Sequence, residues 1–404
     1  MSNIAFPTGN NKNGKKKMPK WLKIALIVVA VLLVGGGIVA WKTGSVLNKI
    51  SVKVGLFNSI VHSIPGVSNE LKGEKEDRIN VLLLGMRGQN MPGGGLLADT
   101  IMVASIEPKA NKVALMSIPR DLWVQDPGKD SKSKINAVYS YGEEKGTGGG
   151  IKDMETTVGN ITGLTINYSV VMNFTGFTKL VDALGGVDVN LSKPFEESAQ
   201  FQEPHICDSF FNQPTGKFET KTKKIYDSIT GRYKRTRVTA QYPLCTAPAD
   251  TEDCGGDFKL PAGKSTLDGA KTLCFVRSRD LTSDFERAKR QQVILQQIKE
   301  KASQLGILDF GKINSILNDL GDNVRTDMQA WEMKRLFDLY KGMNAPELHQ
   351  RVLEDSEEGL LYAPAQTPET GYILLPRGDN YDKIKNTFQN IFSLPAQSDV
   401  KPQI

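Results

Sequence analysis

Between Ile24 and Trp41 the chain runs for 18 residues without a charged side chain. As a helix that run spans about 27 Å, close to the ~30 Å hydrocarbon layer of a bilayer. Trp21 and Trp41 stand at its two ends, where indole rings favour the membrane interface. Residues 1–23 carry Lys12, Lys15, Lys16, Lys17, Lys20 and Lys23 and no acid, a bias that keeps this side cytoplasmic. The expected order is a Lys-rich tail at 1–20, a transmembrane helix at 21–41, a juxtamembrane connector at 42–77 and a globular part outside the cytoplasm. A cleaved signal peptide is the rival reading, because Gly35–Gly37 and Ala40 offer small residues. The run is longer than a signal core needs, which favours an uncleaved anchor.

That tail also accounts for the charge. The 404-residue chain has 51 Lys and Arg against 45 Asp and Glu, a net +6. The six tail lysines supply the whole excess, so residues 24–404 are formally neutral and carry no overall nucleic-acid footprint. Only His62, His205 and His349 are available as imidazole ligands, and their scatter argues against a histidine-rich zinc enzyme. Cys207, Cys245 and Cys254 fall in one polar stretch, where one disulfide is expected, with a connectivity that spacing does not give. A zinc site built from these cysteines and His205 is the weaker alternative, since no CxxC pair is present. Cys274, inside the apolar run Thr272–Val276, is expected to act as a small buried hydrophobe.

The globular part begins near Arg78. Ile79–Leu84 is a continuous apolar run, as in a strand buried on both faces. Thr100–Ile106 and Lys112–Ile118 read as a hairpin-linked pair, Tyr168–Asn173 and Val187–Leu191 as further strands, and Thr272–Val276 as another. Helical patterns cover Ile151–Asn160, Phe177–Leu184 (stopped by Gly185-Gly186) and Asp284–Leu305. The stretch at about 125–150 reads as a Gly-rich loop. Residues of about 192–260 lose periodicity and read as a hairpin-rich insertion. Helices near Lys312–Leu320 and Asp327–Tyr340, a late strand at Gly371–Leu375 and a final helix close the domain at about 395, leaving a tail at 396–404. Strands interleaved with helices predict an α/β class, a three-layer α/β/α arrangement on a central mixed sheet.

The chemistry is narrowed first by what is missing. Gly263-Lys264-Ser265 imitates the end of a phosphate-binding P-loop, but Phe258 stands where its first glycine is required and Pro261 interrupts it. There is no HExxH and no GxSxG. What remains is arginine at the ends of elements. Arg120 and Asp121 close the run Ser117–Asp121, and Arg277 and Arg279 close a second run, on one face if that run is a strand. Arg287 and Gln291 lie four apart near the start of the long helix and share its face. Forked guanidinium groups beside a helix N-terminus favour a phosphate or pyrophosphate. For any one arginine, an ordinary ion pair with Asp121, Asp280, Asp284 or Glu286 is an equally good account.

The segments INVLLLG, LLADTIMVASI, KVALMSIPRDLWV, SKINAVYSYG, FTKLVDALGGVDV, LDGAKTLCFVRSR and DFERAKRQQ stand in an order that resembles the LytR-CpsA-Psr family over roughly residues 78–305. The resemblance implies a membrane-anchored, extracytoplasmic phosphotransferase of the bacterial cell envelope. Its members move a phospho-glycopolymer from a polyprenyl-pyrophosphate carrier to a peptidoglycan hydroxyl, with Mg²⁺. Carried over by position, Arg120, Arg279 and Arg287 would grip the pyrophosphate, with Arg277 and Gln291 beside them and Lys134 at the rim. Asp99 would hold the metal, and Asp99, Arg120 and Asp121 would form the catalytic set. The lipid needs an apolar tunnel, for which Phe174, Phe177, Leu180, Val181 and Leu184 are candidates; packing of a helix on the sheet is the blander account of each.

Two positions depart from the family. Arg87 occupies the place of a second metal-binding Asp, and Leu97 stands where an Arg is usual. Either Arg87 substitutes for part of the metal's charge at the pyrophosphate, or the metal site is weakened. The second alternative points to a non-catalytic polyprenyl-phosphate-binding scaffold or regulator of envelope assembly. A transcriptional role would need a basic recognition helix, which is not found. Asp99, Asp121 and Asp284 are each eligible as the base for the acceptor hydroxyl.

Overall fold

The computed structural model describes residues 70–89, 95–197, 205–206, 213–227, 232–246, 258–278, 283–304, 316, 319–356, 359–365, 367, 370–395 and 397. The apolar run at 24–41 and Arg279 lie outside these residues. Among the described residues no helix is long and apolar enough to cross a membrane.

The chain enters through β1 (Ile79–Met86), β2 (Ala98–Glu107) and β3 (Lys112–Ile118), followed by the short pair β4 (Trp123–Gln125) and β5 (Lys132–Lys134). Next come α1 (Ile135–Glu143), α2 (Gly149–Thr162), β6 (Tyr168–Asn173), α3 (Phe174–Ala183) and β7 (Val187–Leu191). The insertion holds β8 (Phe195–Glu197), β9 (His205–Ile206), β10 (Gln213–Asp227), β11 (Arg232–Thr246) and β12 (Phe258–Leu260). After it follow β13 (Gly263–Leu267), α4 (Gly269–Arg277) and α5 (Asp284–Gln304). The chain closes with β14 (Val324–Thr326), α6 (Ala330–Gly342), β15 (Glu347–Val352), β16 (Leu361–Tyr362), β17 (Leu375–Pro376) and α7 (Asp382–Gln389).

Six strands form the central sheet in the order β14-β6-β1-β2-β3-β15. It is mixed, as the sequence predicts: β6 runs parallel to β1 and β15 parallel to β3, while the other pairings are antiparallel. The run in β1 is apolar throughout because both faces are covered. Leu82, Leu84 and Met86 pack with Val138 and Tyr139 of α1, Met154 and Val158 of α2 and Phe388 of α7. Ile79, Val81 and Leu83 face the opposite way, toward Trp331 and Leu336 of α6. Helices on both faces make the layered arrangement expected for this pattern.

Several sequence expectations change. The stretch at 125–150 is not one loop, because Ile135, Val138 and Tyr139 are core residues of α1. Thr272–Val276 is helical rather than a strand. Asp268 caps α4, its carboxylate accepting from Lys271 N at 2.8 Å, and Leu273, Cys274, Phe275 and Val276 are all buried. A helix buried all round has no polar stripe, so a five-residue apolar run reads equally as a strand. The alternation argument that put Arg277 and Arg279 on one face falls with that strand. The late strand at Gly371–Leu375 shrinks to Leu375–Pro376. Gly263-Lys264-Ser265 lies in β13, paired with β7, and forms no phosphate loop. Cys274 is buried as expected, but it is disulfide-bonded rather than a free thiol.

One polar contact fastens the α5 layer to the sheet. Gln292 is fully buried, and its Nε2 donates to Ser117 Oγ at 2.8 Å and to Arg351 O at 3.0 Å while Oε1 accepts from Gln350 at 3.1 Å. Replacing Gln292 with Leu leaves those groups buried and unsatisfied, at a cost of about 1–3 kcal/mol. Urea unfolding of Gln292→Leu is therefore expected to show a lower midpoint with an unchanged slope.

Candidate functional site

Arg120 follows Pro119 at the end of β3, and the backbone around it is pinned. Leu122 N donates to Pro119 O at 3.2 Å, Leu374 N to Asp121 O at 3.0 Å and Asn136 N to Arg120 O at 3.3 Å. The side chain is thereby held toward β2, where its Nη1 donates to Asp99 Oδ1 at 2.8 Å. Its Nε lies 3.5 Å from Asp121 Oδ2 and 4.0 Å from Asp284 Oδ2. That Nε is buried and makes no hydrogen bond, a donor suited to a ligand oxygen. Burial acts to lower the Arg120 pKa, but Asp99 first, then Asp284 and Asp121, more than reverse this and hold it above the ordinary value.

The network continues on both sides. Lys134, at the end of β5, donates to Asp121 at 2.7 Å, and Arg287 pairs with Asp284 at 3.0 Å on the first turn of α5. Asp284 and Glu286 place acid at the positive end of that helix, where it is favoured. Five described cations (Arg87, Arg120, Lys134, Arg277 and Arg287) and three carboxylates (Asp99, Asp121 and Asp284) are thus gathered in one region.

These cations share one cavity of about 580 Å³, within the ordinary range for a ligand pocket. Arg87, Asp99, Arg120, Asp121, Lys134, Arg277, Arg287 and Gln291 line one part of it. The apolar wall comes from Leu83, Met102, Val170 and Met172 of the sheet, and from Leu273, Val276, Ile294 and Leu295 of α4 and α5. Arg277 closes α4 with its guanidinium 4.9 Å from the Phe174 ring centroid, at the border between the two parts. Arg287, Gln291 and Ile294 follow one stripe of α5 into the same space, as their spacing predicts. Arg87 reaches it from a sharp turn. The β1–β2 register shifts at Gly85/Met86, and Gly88 takes φ +104° where a Cβ would stand 3.1 Å from Asn173 Cβ.

The lipid-lining expectation is half corrected. Phe174 and Phe177 line the cavity, but Leu180, Val181 and Leu184 do not. Leu180 packs with Leu320 and Val324, Val181 is buried against the α4–α5 core, and Leu184 is only 2% exposed at the C-cap of α3. Helical rotation turns Val181 and Leu184 away from the cavity, Leu180 packs toward the β14 edge of the sheet, and sheet residues supply the missing wall. Sequence reasoning also passed over Arg290. It is 4% exposed, donates to the Phe275 and Ser278 carbonyls, and lies over the Phe195 ring. Burial, only partly offset by Glu286 and Glu197, pushes its pKa down to about 10. Its role is to hold the C-terminal end of α4, and hence Arg277, in place.

Among the described residues no group of three or more His, Cys, Asp or Glu converges as a metal site. Asp99, on the cavity wall with a side chain 34% exposed, fits the Mg²⁺ mode that uses one carboxylate and completes its shell with water and substrate phosphates.

The sequence model of the LytR-CpsA-Psr family matches residues 58–389. A TagU polyisoprenyl-teichoic acid–peptidoglycan teichoic acid transferase of Bacillus anthracis is 31% identical, covering 85% of this chain and 87% of its own. A TagV transferase of Bacillus subtilis is 25% identical over 91% of this chain and 78% of its own. Among solved structures, B. subtilis TagV superposes with a TM-score of 0.51 at 22% identity, covering 79% of this chain and 98% of that one. TagT bound to LI-WTA gives 0.51 at 20% identity, over 82% and 95%.

Arg120→Lys keeps the charge but loses the fork that serves Asp99 and a ligand together. Calorimetric affinity for inorganic pyrophosphate is expected to fall about ten- to a hundredfold, the range for a charge-assisted hydrogen bond. Unchanged affinity would show that Arg120 does not face the ligand.

Proposed function

The chain belongs to the LytR-CpsA-Psr family, and on that premise we propose that it transfers a phospho-glycopolymer from a polyprenyl-pyrophosphate carrier to a hydroxyl of peptidoglycan. One observation carries the reading: five cations and an apolar compartment share a single cavity, the chemistry of a pyrophosphate with a hydrocarbon tail. Each buried CH₂ of such a tail contributes about 0.8 kcal/mol of affinity, so the apolar wall does more than exclude water.

In this reading the acceptor hydroxyl gives its proton to one of the site carboxylates, Asp99, Asp121 or Asp284, as its oxygen attacks the phosphorus that bears the glycan. The bond from that phosphorus to the bridging oxygen breaks, and polyprenyl phosphate leaves with the electron pair. Arg87, Arg120, Arg277 and Arg287 neutralise charge that spreads over the transferred group and accumulates on the leaving phosphate, the main demand of phosphoryl transfer. Asp121, fixed by Lys134 and only 10% exposed, positions Arg120. Arg279 joins the pyrophosphate set by family position. A Mg²⁺ held at Asp99 would supply further charge neutralisation, with Arg87 standing where relatives carry a second acid. The 21–41 segment anchors the chain in the bacterial membrane with its N-terminus cytoplasmic, placing residues 78–395 at the outer surface where lipid carrier and peptidoglycan meet.

The second reading, a polyprenyl-phosphate-binding scaffold without turnover, draws on the same Arg87 substitution. The full chain in lipid nanodiscs, given a lipid-pyrophosphate oligosaccharide and a peptidoglycan fragment with and without Mg²⁺, separates the two. Covalent product is expected; retained lipid without turnover would establish the scaffold. Arg87→Ala is expected to slow transfer about a hundredfold, as for loss of one oxyanion donor. Unchanged rate and Mg²⁺ dependence would end the charge-substitution idea. Leu83→Trp, which fills the apolar wall, should weaken octaprenyl pyrophosphate binding about tenfold, the loss of about two buried methylenes, and leave inorganic pyrophosphate binding intact.

A further inference from the structure

The insertion carries a charge pattern that the transfer site does not use. Strands β10 and β11 are 15 residues each and pair as a long ribbon, with β9 joining β11 at Leu244 and Cys245. At ~3.4 Å per residue that ribbon is about 50 Å long. Its strands hold eight Lys or Arg against two acids, Glu219 and Asp227, and seven of those cations fall between Lys221 and Arg237. Because residues 24–404 are formally neutral, the rest of that stretch carries a matching acidic excess. Positive charge is segregated onto the ribbon.

Edge protection is the ordinary reason for lysines on strands. The register adds a stronger constraint. In the register Thr222 stands opposite Thr239, Tyr226 opposite Tyr233 and Asp227 opposite Arg232. Lys224 stands opposite Arg237. Like charges directly opposed disfavour strand pairing, and an anion lying along the ribbon relieves them.

The root of the ribbon is fixed beside the transfer cavity. β8 and β12 pair where the insertion begins and ends, and their Phe195, Phe258 and Leu260 pack in one core with Leu273, Phe275 and Val276 of α4. Leu273 and Val276 in turn line the cavity. Cys274 between them is disulfide-bonded, and the three other cysteines of the chain (Cys207, Cys245 and Cys254) all lie between β8 and β12. Whichever of them is the partner, the bond ties the insertion to the helix that ends in Arg277.

We propose that the ribbon is a docking arm for a linear phosphodiester-linked polymer, holding the polyanionic part of the substrate whose pyrophosphate end sits in the cavity. The identity of the polymer rests on the proposed transfer function; the binding itself is measured independently. Cations spaced along an extended ribbon track a repeating phosphate chain through counterion release, without reading its sugars.

The test uses the full chain in detergent, labelled poly(glycerol phosphate) and a sodium chloride titration. Substituting Lys221, Lys223, Lys224, Lys234, Arg235 and Arg237 together with Gln is expected to weaken polymer binding tenfold or more. The slope of log affinity against log salt should become shallower by about 4, from roughly 0.7 per cation removed. Octaprenyl pyrophosphate binding should be unchanged, which also reports that the domain is folded. The single variant Lys224→Glu faces Arg237 with an opposite charge; it should favour the strand pairing yet still weaken the polymer, whereas a purely structural role predicts no loss. Wild-type binding by both variants would overturn the proposal. So would equal competition by uncharged dextran, or tighter wild-type binding to anionic phosphatidylglycerol vesicles or duplex DNA at matched phosphate, which would reassign the arm. Failure of the wild-type chain to bind octaprenyl pyrophosphate would sink the transfer reading alone and leave the polymer measurement readable.

Discussion

Arg120 is shared among three carboxylates, and the site depends on that sharing. Asp99 on β2, Asp121 beside Arg120 itself and Asp284 on α5 come from three parts of the chain, and one guanidinium meets all of them. Each acid orients the arginine, and Lys134 and Arg287 balance the charge that the acids bring. The donors are therefore fixed in space before a ligand arrives. Preorganised charge of this kind avoids the cost of reorienting donors during phosphoryl transfer. Lys134 and Arg287 extend the chain of pairs and hold Asp121 and Asp284 in turn.

The apolar half of the cavity follows from how the α3–α5 layer is mounted. Asn173 ends β6 and at once caps α3, accepting from Gly176 N at 2.8 Å, so the strand passes into the helix with no loop between them. Gly269 opens α4 against α3, where a Cβ would meet Thr178 O at 2.3 Å. Gln292 ties α5 to the ends of β3 and β15. Between these fastenings the helices stand off the sheet, and Leu83, Met102, Val170 and Met172 line the space instead of meeting the helices directly. Arg290, stacked on Phe195 and bonded to the end of α4, connects the mount of the insertion to the position of Arg277. Transfer site and insertion thus share one piece of core.

Much of this architecture was legible in the chain. β3, β6 and β7 match their expected bounds residue for residue, because alternating or continuous apolar runs between turn residues permit little else. The face shared by Arg287 and Gln291 followed from helical spacing alone. Thr272–Val276 was misread because burial on every side erases periodicity. Leu180, Val181 and Leu184 were misassigned because amphipathic spacing tells that a helix buries a face, not which neighbour covers it.

What the linear order determined by itself is the inventory: an uncharged stretch of membrane length, strand runs apolar enough for a doubly covered sheet, and basic residues where those runs stop. These are local properties, set by the side chains and their spacing. Only the tertiary structure decided that Arg87, Arg120, Lys134, Arg277 and Arg287 face a common space and that the sheet forms its apolar wall. Residues up to two hundred positions apart meet there, and no local preference encodes such a meeting. It is chosen by the global packing that brings the paired charges of β2, the turn after β3 and α5 together.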